Sequence, residues 1–271
     1  MLTLFQWLVF LMYAAAGVFY IRDFAYQKPG DRKTAAVLFP ASLVVHFGLL
    51  VYLMIVLKRI PVATLGESIG TFVWITGLIY WFLEWRLRER SMGIFILPIL
   101  LLLIFISNRT FRIDEPINEV LKDVQFEIHV FFMLLSYGAF VISFIASLMH
   151  LLLNREIQKR NMGVFYRRLP SLAFFEQISN AAVDIGLVFI SIGFLLGLHN
   201  ALKVWDPSKL LDMKIIAVLL TWLIYLSHFL SRKFAGWQGQ RAASLSVVGF
   251  GWLMFSFLII NLFFHSIHHF I

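Results

Sequence analysis

The sequence predicts an all-α fold: a polytopic membrane helical bundle of about eight transmembrane helices, with both termini on the outer side. Three observations lead there. Of the 271 residues, 61% are hydrophobic and 14% charged, too little polar surface to coat a soluble globule. The apolar residues gather into eight runs, near 2–22, 36–57, 68–88, 92–108, 126–153, 176–201, 210–231 and 243–264. A helix needs about 20 such residues to cross a hydrocarbon core of roughly 30 Å. The cations are unevenly shared between alternate connections.

The first run has no charged n-region and no small-residue cleavage site, so it is expected to be a retained helix. The fourth is the shortest. Connections after runs 1, 3, 5 and 7 carry Arg22, Lys28, Arg32, Lys33, Arg86, Arg88, Arg90, Arg155, Lys159, Arg160, Arg167, Arg168, Arg232, Lys233 and Arg241, fifteen of the 23 Lys and Arg. The positive-inside rule makes those connections cytoplasmic. No loop is long enough for a second folded domain, so residues 1–271 are expected to form a single integral membrane domain.

Composition also excludes. The formal charge of +8 is split into short clusters between apolar runs, which speaks for topology and not for a nucleic-acid surface. The cluster at 155–168 suits anionic membrane lipids. Cysteine is absent, so any thiol chemistry belongs to a partner. No phosphate-cradling glycine loop, serine-histidine-acid order or HExxH motif occurs, which leaves hydrolase and ATP-driven mechanisms without support. Nor are there the paired broken spans or the inverted repeat of a transporter.

Depth makes the eight histidines informative. His129, His199, His265, His268 and His269 fall on the outer side, His46 in the middle of run 2, and His150 and His228 toward the inner side. Two imidazoles from different helices can ligate a heme iron, as His129 and His268 would. Histidines at helix ends also serve as interfacial polar tips, and His46 could instead make an interhelical hydrogen bond. A zinc cluster at His265, His268 and His269 lacks a cysteine or nearby carboxylate. Asp184, inside run 6, is expected to be protonated or hydrogen bonded, and Glu67 stands at the outer mouth of run 3.

Several fragments, taken in order, resemble the cytochrome c assembly membrane proteins. His129 followed by Met133-Leu134-Leu135-Ser136-Tyr137-Gly138-Ala139 is similar to that family's "H…M.LSYA" helix entry. Gly186, Gly193 and Gly197 match its glycine rhythm, and Gly236-Trp237-Gln238-Gly239 its "W.G" turn. His46, Pro61, Glu67-Ser68 and Trp74 follow its "H…P…..ES……W" pattern.

The resemblance implies a heme-handling protein that assists cytochrome c maturation, with the core heme-handling part at about 126–271. It implies His129 as the first axial ligand, and His268 or His265 as the second. His46 with His228 would form a deeper pair, although the family register in run 7 falls on Leu230. The family's tryptophan-rich outer loop is reduced here to Trp205, with Asp212 at the gap-free position of its aspartate and Trp205-Asp206-Pro207 imitating the motif's end seven residues early. That places the chain nearest the HemX-type branch. The implied cofactor is heme b. The implied partners are heme, apocytochrome c, other maturation proteins and membrane lipids, in the bacterial cytoplasmic membrane. The role is that of an accessory or heme chaperone, with a heme lyase subunit as the enzymatic variant. The alternative is a HemX-type regulator or scaffold that acts without its own heme on a cytoplasmic tetrapyrrole-synthesis enzyme.

Overall fold

The computed structural model describes residues 2–113, 117, 123–160, 163–204 and 213–263, without the side chains of 164–165, 204 and 257–263. Among these residues every regular element is an α-helix: α1 (Leu2–Tyr26), α2 (Pro29–Leu57), α3 (Leu65–Leu87), α4 (Gly93–Thr110), α5 (Val124–Gln158), α6 (Val164–Arg168), α7 (Leu172–Val204), α8 (Met213–Phe234) and α9 (Gln240–Phe263). Each of the eight expected runs is one long helix; only the five-residue α6 was not foreseen. By length and composition α1, α2, α4, α5, α7 and α8 can each cross a membrane, and α3 and α9 coincide with the third and eighth expected runs. The chain is a multi-pass helical membrane protein.

The helices form two compact units, residues 1–122 and 123–271. In the first, α1 packs on α2 and α4, and α3 on α2 and α4, so four helices close into a ring. In the second, α5 and α7 make the most extensive contact, with α8 against α7 and α9 and with α9 against α5.

Local chemistry sets the helix ends. Pro29 opens α2, where its missing N–H costs nothing. A capping box opens α3: the Thr64 hydroxyl accepts from the Glu67 N–H while the Glu67 carboxylate accepts from the Thr64 N–H, which satisfies backbone donors that no water reaches. Gly236 and Gly239, at φ 64° and 58°, make the turn between α8 and α9 in the left-handed region where a Cβ is costly.

Ion pairs tie several of the described helices. Arg59 forks onto Glu67, Nη1 to Oε2 at 2.5 Å and Nη2 to Oε1 at 2.7 Å. At the other end of the first unit the Tyr20 hydroxyl donates to Glu84 Oε2 at 2.5 Å, and Arg90 Nε donates to Oε1 at 2.9 Å. Asp184, expected to be protonated or hydrogen bonded, is ion-paired with Arg232.

Arg59→Ala would leave the Glu67 carboxylate, 2% exposed, without a counter-charge, a change that costs roughly 3–5 kcal/mol. The expected outcome is a clearly lower thermal unfolding midpoint in detergent, partly restored in the double variant Arg59→Met/Glu67→Met.

Candidate functional site

The site begins with how closely α5 and α7 approach. Three glycines of α7 each face a large side chain of α5. A Cβ on Gly186 would strike the Phe140 ring, one on Gly193 would lie 2.9 Å from Met133 Sδ, and one on Gly197 would strike His129 Cε1. The pairs run 129, 133, 140 up α5 and 197, 193, 186 down α7, so the helices are antiparallel in one fixed register. Further along, Ser147 and Ser179 hydroxyls meet at 2.8 Å, and Ser143 bonds Ser179 at 2.9 Å and Ser246 of α9 at 2.7 Å. Small residues that admit a close backbone, joined by hydroxyl bonds, are what hold helices together in lipid.

His129 is seated by this contact. Its ring lies over Gly197, and Nδ1 is 2.6 Å from the Gly193 carbonyl oxygen. A carbonyl only accepts, so Nδ1 carries the proton and Nε2 of the neutral ring keeps its lone pair. One nitrogen anchored to protein oxygen and the other free is the usual state of a metal-ligating histidine.

The other expected residues divide by unit. In the first, His46 is buried, and its Nδ1 lies 3.2 Å from the Tyr13 hydroxyl with the two rings edge-on. In the second, His228 is fully buried and its Nε2 donates to the Ala242 carbonyl at 3.1 Å, while Nδ1 finds no partner among the described residues. Leu230, where the family register falls, is 40% exposed. The histidine two residues earlier, about 200° around the helix, is the inward one. His150, Glu176, Asn180, Ser147 and Ser179 line a crevice beside Gly239 that has no room for a water, where Glu176 accepts from the Gly239 N–H at 2.9 Å. His129 and His150 are 21 residues apart on one helix, roughly 31 Å by helical rise, so they mark opposite ends of the second unit. His228 lies toward the His150 end.

His265, His268, Trp205 and Asp212 lie outside the described residues. His199 is on α7 and exposed. Sequence reasoning missed Tyr13, because a tyrosine in an apolar helix has no signal apart from its polar tip in mid-membrane. It also missed that the glycine rhythm serves the histidine: the matching 129/133/140 and 197/193/186 spacings were the available sign.

The model of the family described as cytochrome C assembly protein matches residues 62–268. The chain belongs to that family. It is similar to cytochrome c biogenesis protein CcsA of Trieres chinensis, 23% identical over 245 residues that cover 79% of this chain and 78% of the relative. It is similar to CcsA of Gloeobacter violaceus, 23% identical over 274 residues, 82% and 81% of the two chains, and to CcsA of Chlamydomonas reinhardtii, 26% identical over 217 residues, 77% and 60%. These relatives carry the CcsA name, so the comparisons do not bear out a place nearest the HemX-type branch.

Adding a methyl at Gly197 should push the His129 ring out of its slot and break its bond to Gly193. In Gly197→Ala, carbethoxylation of His129 by diethyl pyrocarbonate, read by mass spectrometry, should rise several-fold over the parent. Gly186→Ala, which crowds Phe140 instead, should lower the unfolding midpoint, in line with the 1–3 kcal/mol usual for overpacking, and leave His129 labelling near the parental level.

Proposed function

We propose that this protein handles heme for cytochrome c maturation, with His129 as an axial ligand on the outer face. The observation that carries the reading is the seat of His129: a ring fixed by the Gly193 carbonyl and the Gly197 slot, with no hydrogen bond at Nε2 among the described residues, in a chain of the cytochrome c assembly family. An iron ligand must be a neutral imidazole with its ring direction set from behind, and this ring meets both requirements. His268 or His265 supplies the second outer ligand, and Trp205 and Asp212 belong to the same site.

His46 and His228 act as deeper ligands on the path from the inner side. The Nδ1 atom of His228, buried without a partner among the described residues, suits a ligand, because an unpaired polar atom at that depth is otherwise costly. The group held is a heme of the b type, bound through coordination alone. Bound iron supplies the redox chemistry, and the chain supplies ligation and orientation. The thiols that finally capture the heme come from apocytochrome c, since this chain has no cysteine. The cationic connections keep the outer ligands on the far side of a bacterial cytoplasmic membrane.

The test is the absorption spectrum of the detergent-purified full chain with added hemin, oxidised and dithionite-reduced, with pyridine hemochrome quantification. The parent should show a Soret band with sharp reduced α and β bands. His129→Ala should lose about one heme equivalent. A spectrum unchanged in His129→Ala would overturn the assignment.

A further inference from the structure

The turn between α8 and α9 opens onto a groove that heme ligation does not use. It has a volume of about 860 Å³, is open to the outside, and is lined by Trp237 and Gln238 of the turn and by Arg241, Ser244, Leu245 and Val248 of α9. Its frame is fixed from several sides. The Ala235 and Trp237 N–H groups both donate to the Ser231 carbonyl at 3.1 Å, which holds Trp237 at the end of α8. The Gly239 N–H donates to Glu176 of α7 at 2.9 Å, and Asn154 of α5 donates to Gln240 at 3.4 Å, so two neighbouring helices hold the start of α9.

Along α9 the groove passes from polar to apolar. Positions 241, 244, 245, 248, 251, 252 and 255 recur at helical spacing and share one face. The face begins with Arg241, exposed and without a hydrogen-bond or ion-pair partner among the described residues, and continues to Val248 and Phe255, which are 61% and 56% exposed. Gly251 stands among them, also exposed, and a Cβ added there would meet nothing within 4 Å. Gly186, Gly193, Gly197 and Gly249 each admit a side chain of a neighbouring helix; Gly251 admits none. Glycine inside a helix is destabilising relative to alanine, and helix packing gives no reason for this one.

Charge sets the depth. The α8–α9 connection is one of the cationic ones that the positive-inside rule puts at the cytoplasmic surface, where tryptophan favours the level between headgroups and hydrocarbon. The leaflet at that surface is the one that carries anionic lipid.

The geometry points to one anionic phospholipid bound in this groove. Its phosphate pairs with the Arg241 guanidinium, whose planar fork matches phosphate oxygens, and accepts from the Ser244 hydroxyl. Its glycerol region lies beside Trp237, and one acyl chain follows Leu245 and Val248 across the gap at Gly251. A soluble anion would use the cation and leave the stripe bare; a lipid presents charge and chain in the order in which α9 presents Arg241 and its apolar face. This site is independent of the heme ligands.

Native mass spectrometry of the full chain in detergent, titrated with phosphatidylglycerol or phosphatidylcholine, tests it. The parent should retain one phosphatidylglycerol, bound roughly fivefold or more tightly than phosphatidylcholine. Arg241→Gln should weaken that first phosphatidylglycerol by roughly five- to tenfold. Lys28→Gln, the same charge change in the connection between α1 and α2, should leave it at the parental level. Gly251→Leu puts a side chain into the gap where no protein atom stands, and should weaken the lipid several-fold at an unchanged unfolding midpoint.

Parental affinity in Arg241→Gln or in Gly251→Leu, or an equal loss in Lys28→Gln, would overturn the site. Should Arg241→Gln fail to fold, Gly251→Leu decides alone. A large excess of sn-glycerol 3-phosphate, or of hemin, should leave the lipid in place. Displacement by the first would make this a site for a soluble anion, and displacement by the second a site for heme; either result overturns the assignment to lipid.

Discussion

The second unit depends on how near α5 and α7 can come. Lipid tails are as apolar as leucine, so burying apolar side chains gives two helices no reason to associate within the membrane; packing and hydrogen bonds must do it. Here Gly186, Gly193 and Gly197 open a channel along α7 into which Phe140, Met133 and His129 fit. The same register continues to Ser147 and Ser179. The seat of His129 follows from it, since both the slot and the carbonyl that bonds Nδ1 belong to that channel. So does the position of Phe140, whose ring stacks on Tyr225 of α8 with centroids 3.5 Å apart. The serine hydroxyls bring in α9 through Ser246. One helix pair thus carries the seat of His129 and the contacts that recruit its neighbours.

The first unit is governed by a different constraint: how to keep polar groups inside without leaving them bare. Its charges stay near helix ends, where Arg59 meets Glu67 and Arg90 meets Glu84 and where each carboxylate has further donors. Between those ends the buried polar groups are neutral: the Tyr13 and His46 pair, Ser42 on the Phe39 carbonyl, and Trp74 on the Leu43 carbonyl. This order follows the cost of burial, which is far higher for an ion than for a hydrogen-bonded neutral group. A histidine placed at mid-depth is costly to keep charged and is useful as a neutral ligand.

Most of this fold was legible from hydropathy, because a bilayer accepts only segments that satisfy their own backbone, and a run of about 20 apolar residues has little choice but to be a helix. The runs therefore locate the helices but not their ends: α5 continues to Gln158 and α7 begins at Leu172, beyond the apolar stretches, where helix leaves lipid and can carry charge. Of the site, His129 and the glycines were each visible as motif fragments. Their relation was not, since spacing within one helix says nothing about its partner until the antiparallel register is known. In α8, where a gap-free count falls on Leu230, that residue stands exposed and His228 is the one that turns inward.

Holding one ring nitrogen on protein oxygen and leaving the other for a metal is the usual arrangement of a ligating histidine. The held nitrogen fixes where the imidazole points; the free one binds. A carbonyl partner commits the ring to a single tautomer, which suits a place where the ligand is presented in one orientation. A hydroxyl partner commits it to neither. His129 has the first kind of partner and His46 the second. The chain therefore carries, in the choice between a glycine carbonyl and a tyrosine hydroxyl, one histidine fixed in a single tautomer and one that is not.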